Sequence, residues 1–198
     1  MIPVCIAFSE FVNFGKDVRR YYSSSWLVLP FRILLNPALL AVFFYRSSRF
    51  FYLLRLAPIS KLIFILSRVM FSVELNYKAK IGPGFMLAHG VGTVIGGDVV
   101  IGDNVMISQG VTLGTNFSRV RVVDSQERTQ PIVGNECFIL AGAKVVGPVI
   151  VADKTIVGAN AVVTKDTLPN SVYAGIPAKR IGENRRRSYK IGSGVYDA

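Results

Sequence analysis

A period of six governs the middle of this chain. An aliphatic residue recurs at Ile95, Ile101, Ile107 and Leu113, and again, after an interruption, at Val133, Ile139, Val145, Val151, Val157 and Val163. Glycine often follows it, as in Ile95-Gly96, Ile101-Gly102, Leu113-Gly114 and Val133-Gly134. A helix repeats every 3.6 residues and a strand every two, so neither accounts for the spacing. A solenoid of short strands does. Each six-residue unit forms one flat side, three sides close a triangular coil, and the aliphatic residue stacks inward on its counterpart one coil later. Gly, Ala, Asn and Asp at the remaining positions suit tight corners. One coil buries little, so several must stack. Flat prism sides pack well against copies of themselves, and a homotrimer is expected.

Charge divides the chain in three. Residues 1–73 carry nine Lys/Arg against Glu10 and Asp17, a net +7. Residues 74–178 balance eight charges of each sign, and residues 179–198 carry a net +4, for a total of +11. The predicted organisation is an N-terminal helical region over 1–73, the repeat domain over 74–182 and a basic tail over 183–198. Basicity at both ends of a neutral middle points to a surface contact rather than to the chemistry. Two cysteines, Cys5 and Cys137, make no disulfide framework and have no metal-ligand spacing, which suits a reducing compartment. The start lacks a basic stretch ahead of an apolar run, so no secretory signal is expected and the protein is placed in the cytoplasm.

The front end is rich in aromatics, Leu and Ile, broken by Arg32, Arg46, Arg49, Arg55, Lys61 and Arg68. Its longest uncharged run, Ile33–Tyr45, spans 13 residues. A bilayer span needs about 20. The expectation is therefore short helices lying on an anionic membrane face, peripheral at its inner side, or else a helical cap or oligomer contact covering the same apolar surface. No nucleic-acid-binding motif accompanies the charge, and no nucleic-acid partner is expected.

The segments GPGFMLAHGVGTVIGGDVVIGDNVMISQGVTLG, PIVGNECFILAGAKVVG, GANAVVTKD and AGIPAKRIG together resemble the hexapeptide-repeat acyltransferases, nearest their serine-acetyltransferase-like subgroup. The resemblance covers about residues 74–182. It implies a left-handed parallel β-helix and acyl transfer from acetyl-CoA, with no metal required.

Moving an acetyl group from a thioester to a hydroxyl needs a base on the acceptor oxygen, donors for the oxyanion and a groove for the CoA arm. His89 is the sole histidine, and it interrupts the repeat: Leu87 to Ile95 is eight residues instead of six. That step predicts a corner distorted outward. The resemblance implies that His89 is the catalytic base, since the family's histidine falls in this stretch. It also implies a carboxylate at Glu74, fifteen residues ahead, to fix the imidazole tautomer. For CoA it implies Ala141 and Ala159 as small residues along the pantetheine, with Thr164, Lys165 and Lys179 at the amide and phosphate end. The polar insert Thr115–Gln130 is a candidate grip on the acceptor.

The acceptor is read from departures. Serine-specific relatives resemble this stretch with Asp where Ala88 stands, and with Arg-His where Thr129-Gln130 precedes Pro131. Those groups would pair serine's two charges on desolvation. The resulting expectation is a sugar hydroxyl acceptor in surface polysaccharide biosynthesis. Serine O-acetylation in cysteine biosynthesis is the alternative, and a non-catalytic β-helix scaffold the second alternative. A zinc hydratase would need several histidines, and a nucleotidyltransferase a Gly-rich nucleotide-binding domain ahead of the repeat.

Overall fold

The computed structural model describes residues 4–22, 29–117 and 119–185. Four helices precede the repeat: α1 (Val4–Tyr21), α2 (Leu29–Leu34), α3 (Pro37–Leu53) and α4 (Ala57–Phe71). Asn36 caps α3, its side-chain oxygen accepting from Leu39 N at 3.0 Å, and Pro37 occupies the first turn where no amide partner is lost. Ser72 ends α4 with φ of 54° and turns the chain into the repeat.

The first coil runs through β1 (Glu74–Leu75), β2 (Lys80–Ile81) and β3 (Met86–Ala88). The second follows through β4 (Val94–Ile95), β5 (Val100–Ile101) and β6 (Met106–Ser108). The third opens with β7 (Thr112–Gly114), leaves in a hairpin of β8 (Arg121–Val123) and β9 (Gln126–Arg128), and returns through β10 (Ile132–Val133) and β11 (Phe138–Ile139). The fourth comprises β12 (Lys144–Val146), β13 (Ile150–Val151) and β14 (Ile156–Val157). The chain then adds β15 (Val162–Val163), β16 (Ser171–Ala174) and β17 (Lys179–Glu183).

Every strand pairs in parallel with its equivalent one coil away, except for the β8–β9 and β16–β17 hairpins. Three sheets result. Sheet A orders β1-β4-β7-β12-β15, sheet B orders β13-β10-β5-β2, and sheet C orders β17-β16-β14-β11-β6-β3. This is the three-sided parallel β-solenoid that the period of six predicts, with about five turns. All ten periodic aliphatic residues are buried, and the ladder extends back through Leu87, Ile81 and Leu75. A second inward ladder stands two residues earlier in each unit, at Ala79, Val99, Val105, Val111, Ala143 and Ala161, among others. Cys137 belongs to it. Burial pushes its thiol up to about 12, whereas Cys5 is exposed on α1. Only thiolate reacts with alkylating reagents. Iodoacetamide should therefore label one thiol per native chain, read by intact mass, with the second appearing only on denaturation; rapid native labelling of Cys137 would contradict this packing.

The helices close the first coil. Ala41, Val42 and Tyr45 of α3 join the solenoid core. Tyr45 Oη donates to Ala79 O at 2.9 Å, and Tyr21 Oη on α1 donates to Leu87 O at 2.9 Å while accepting from Leu87 N at 2.7 Å. The basic tail predicted over 183–198 is described only to Arg185; the rest lies outside the described residues.

Candidate active site

His89 follows β3 at the corner where sheet C passes to sheet A. Equivalent corners hold three or four residues, such as Gln109–Val111 and Leu140–Ala143; this one holds five, from His89 to Thr93. The surplus bulges. His89 and Gly90 are both left-handed, at φ of 65° and 54°, and Val91 N donates to His89 O at 2.7 Å. A Cβ on Gly90 would meet Leu87 Cδ2 at 2.9 Å and Val73 Cγ2 at 3.2 Å, so glycine here satisfies both the dihedral and the space. The left-handed conformation recurs at other corners, at Asn104, Glu136, Lys154 and Asn160, so what sets this corner apart is its length. The His89 side chain is exposed and lines a cleft of about 470 Å³.

The other walls of that cleft are Tyr22, Leu35, Asn36, Pro37, Ala38 and Val91. Asn36 Nδ2 donates to Tyr22 Oη at 3.0 Å, and Arg32 lies 5.4 Å from the Tyr22 ring centroid. The α2–α3 junction thus covers the histidine corner. Sequence reasoning missed these residues. Asn36-Pro37 was legible as a helix start, but nothing in the chain marks which coil it overlies.

Glu74 opens β1 directly alongside the end of the histidine corner. Its N donates to Thr93 O at 2.9 Å, and its Cα pairs with Val94. Its carboxylate lies 3.5 Å from Arg68 Nε of α4. Ala141 and Ala159 sit on the same prism edge as His89, one coil apart: Gly142 N donates to Gln109 O, Asn160 N to Ala141 O, each at 2.9 Å. Ala159 is exposed and Ala141 half-buried, so this edge is a ledge of small side chains.

Thr164 and Lys165 occupy a different edge, that between sheets A and B. There they line a second cleft of about 710 Å³ with Asn116, Arg119, Arg121, Val146, Pro148 and Asp166. The polar insert Thr115–Gln130 contains the β8–β9 hairpin, closed by Asp124 and Ser125 at φ of 49° and 60°. Arg121 Nη1 ties the hairpin to Asp166 Oδ2 at 2.7 Å. Lys179 begins β17 and is exposed. One side of a coil, six residues at about 3.3 Å each, or on the order of 20 Å, separates the two edges. Among the described residues, no group of three or more His, Cys, Asp or Glu is placed to hold a metal.

Comparison with known proteins places these features among relatives. The family profile "Bacterial transferase hexapeptide (six repeats)" matches residues 130–165. The serine acetyltransferase of Helicobacter pylori (strain J99) is 36% identical over 162 residues, 82% of this chain and 89% of that protein. The serine acetyltransferase of Bacillus pumilus is 34% identical over 155 residues, 78% and 69% of the two chains. Among solved structures, the serine acetyltransferase of Brucella abortus in complex with coenzyme A superposes with a TM-score of 0.78 at 26% identity, covering 91% of this chain and 71% of that one.

These similarities overturn the expectation of a sugar hydroxyl acceptor in polysaccharide biosynthesis: relatives along most of the chain are serine acetyltransferases. The structure shows what two of the departing residues, Thr129 and Gln130, hold in place. Gln130 Oε1 accepts from Asp98 N at 2.9 Å, Thr129 N donates to Asp98 Oδ2 at 3.1 Å, and Arg128 pairs with Asp98 at 2.9 Å. Gln130 anchors the returning hairpin by its side chain and Thr129 by its backbone N–H, a donor that any residue but proline supplies.

Proposed function

This chain belongs to the hexapeptide-repeat acyltransferases, in their serine-acetyltransferase-like group, and is an acyltransferase that draws its acetyl group from acetyl-CoA; we propose that the acceptor is the hydroxyl of L-serine and that His89 is the general base. The observation carrying the site is the chain's sole histidine, exposed in a cleft at the one corner of the described solenoid lengthened by two residues. In this reading the imidazole takes the hydroxyl proton as the serine oxygen attacks the thioester carbonyl. Collapse of the tetrahedral intermediate breaks the C–S bond, and the imidazolium returns the proton to the departing thiolate. Products are O-acetylserine and CoA. Glu74, beside the same corner, is the proposed positioning carboxylate for the ring.

CoA runs along the small-residue edge past Ala141 and Ala159, and Thr164, Lys165 and Lys179 receive its amide and phosphate end. Lys179, paired with Ala174 beside Gly158, lies on the edge of Ala141 and Ala159, whereas Thr164 and Lys165 lie on the hairpin edge. The reading includes a homotrimer in which the hairpin edge of one copy faces the histidine edge of the next. Arg119 on the hairpin would then reach the acceptor's carboxylate from the neighbouring copy. We place the enzyme in the cytoplasm.

The test supplies purified full-length enzyme with acetyl-CoA and follows CoA thiol release with L-serine, with L-threonine and without acceptor. Serine-dependent release, with O-acetylserine identified by mass spectrometry, is expected. CoA binding without serine-dependent release would overturn the acceptor assignment.

A further inference from the structure

Two of the helices turn polar groups inward and leave an apolar face exposed. α1 turns Glu10 and Asp17 inward and leaves Val4, Phe8 and Val12 exposed at four-residue steps, which places them on one face. α4 buries Ser60 and Ser67 and exposes Ile59, Leu62, Ile65, Leu66, Val69 and Met70. Val69 is 75% exposed and Leu62 58%. A helix on a water-soluble domain turns its apolar stripe to the core; here Ser60 and Ser67 share the packed side with Phe64 and Phe71, and the remaining large apolar side chains face out. Ser48 Oγ on α3 donates to Ser60 O at 2.7 Å, so α4 packs closely by that side. The opposite, apolar face needs another cover.

Charge selects the occupant. The region's two acids, Glu10 and Asp17, are both buried on Arg46 and Arg49. Of the other seven basic residues, Arg68 pairs with Glu74 just beyond the region, while Lys16, Arg19, Arg55 and Lys61 are exposed. The α1 stripe steps on from Val12 to the exposed Lys16, and Lys61 flanks the α4 face. A second copy seated on this surface would set like charge against like charge; an anionic lipid surface neutralises it. Length fixes the mode. α4 has 15 residues, about 22 Å at 1.5 Å each, short of a hydrocarbon core of about 30 Å, and no described helix is long and apolar enough to cross a membrane.

We propose that the outward faces of α4 and α1 dock the enzyme on an anionic bilayer, with the helices in the interfacial plane and the basic side chains reaching the headgroups. The surface stands apart from the choice of hydroxyl acceptor.

The test uses full-length enzyme with vesicles of phosphatidylcholine, with and without phosphatidylglycerol. Cosedimentation only with the anionic vesicles, weakened by salt, is expected. Cys5 lies on the exposed side of α1, and Cys137 is buried. An environment-sensitive dye on Cys5 should therefore shift to the blue on binding. Leu62→Glu/Leu66→Glu should weaken binding about tenfold or more, and Lys61→Gln more modestly, with thermal midpoint and acetyl transfer unchanged. Absence of vesicle binding by the wild-type enzyme would overturn the proposal. So would a wild-type assembly that Leu62→Glu/Leu66→Glu splits into smaller ones, because a second copy would then be the cover.

Discussion

Replacing His89 by Ala should lower kcat for acetyl transfer by about 10³-fold, within the 10² to 10⁴ that a positioned base contributes. CoA affinity, measured by calorimetry, should stay within about twofold, because the proposed cofactor contacts lie on later coils and on the hairpin edge. The thermal midpoint should also hold, since the ring is exposed in its cleft rather than packed. His89→Asn separates geometry from chemistry. Asparagine tolerates the left-handed conformation that this corner imposes, φ of 65°, and retains a polar side chain, but it accepts no proton at neutral pH. Both variants should be equally inactive. Should the asparagine variant keep a tenth or more of wild-type turnover, His89 would be a shaper of the corner and the base would have to be sought elsewhere.

The same corner shows what the chain discloses and what it withholds. Six-residue spacing is visible because each coil side has the same length and every side points one large aliphatic residue inward. The ladder begins at Leu75, yet the eight residues from Leu87 to Ile95 put everything before them out of phase with the rest. That shift is itself the mark of the site. The second inward ladder stayed hidden because its occupants differ in kind, from Ala79 to Phe85 to Thr93 to Cys137, and only packing makes them equivalent. Helices were legible in the front region; their orientation was not. Composition assigns Phe8 and Leu62 to a core and Glu10 to solvent, and the structure does the reverse. Tyr22 and Asn36 meet His89 across more than fifty positions of sequence, a juxtaposition that no local pattern records.

Arg46 holds that juxtaposition in place, and its loss should be the most destabilising single change. Its side chain is fully buried. Nε donates to Asp17 Oδ2 at 2.9 Å, Nη1 to Glu10 Oε2 at 3.0 Å and to Ile81 O at 2.7 Å, and Nη2 to Gly82 O at 2.7 Å and to Asp17 Oδ1 at 3.3 Å. All five N–H groups of the guanidinium are used, joining α1 and α3 to the corner after β2. Asp17 Oδ1 accepts Phe85 N as well, at 2.8 Å. Arg46→Met leaves the buried Asp17 carboxylate without its cation and Glu10 with Arg49 alone, which costs about 3–5 kcal/mol. For a domain of this size that is a fall in thermal midpoint on the order of 10 °C. Arg46→Lys should recover little, because one ammonium cannot reach five directions.

The loss should depend on pH, with a definite sign. Burial raises the Asp17 carboxyl above its ordinary range even with Arg46 opposing it, and without Arg46 it rises further. An acid whose folded pKa lies above its unfolded one binds more protons when folded, so stability increases as pH falls through that interval. The gap between Arg46→Met and wild type should therefore narrow on mild acidification, and Asp17→Asn in the Arg46→Met background should recover part of the loss at neutral pH. Because α1 and α3 carry Tyr22 and Asn36 to the histidine cleft, the variant should also show a raised KM well below its melting temperature. A midpoint within 2 °C or so of wild type, unchanged between neutral and acidic pH, would mean that apolar packing alone seats the helices.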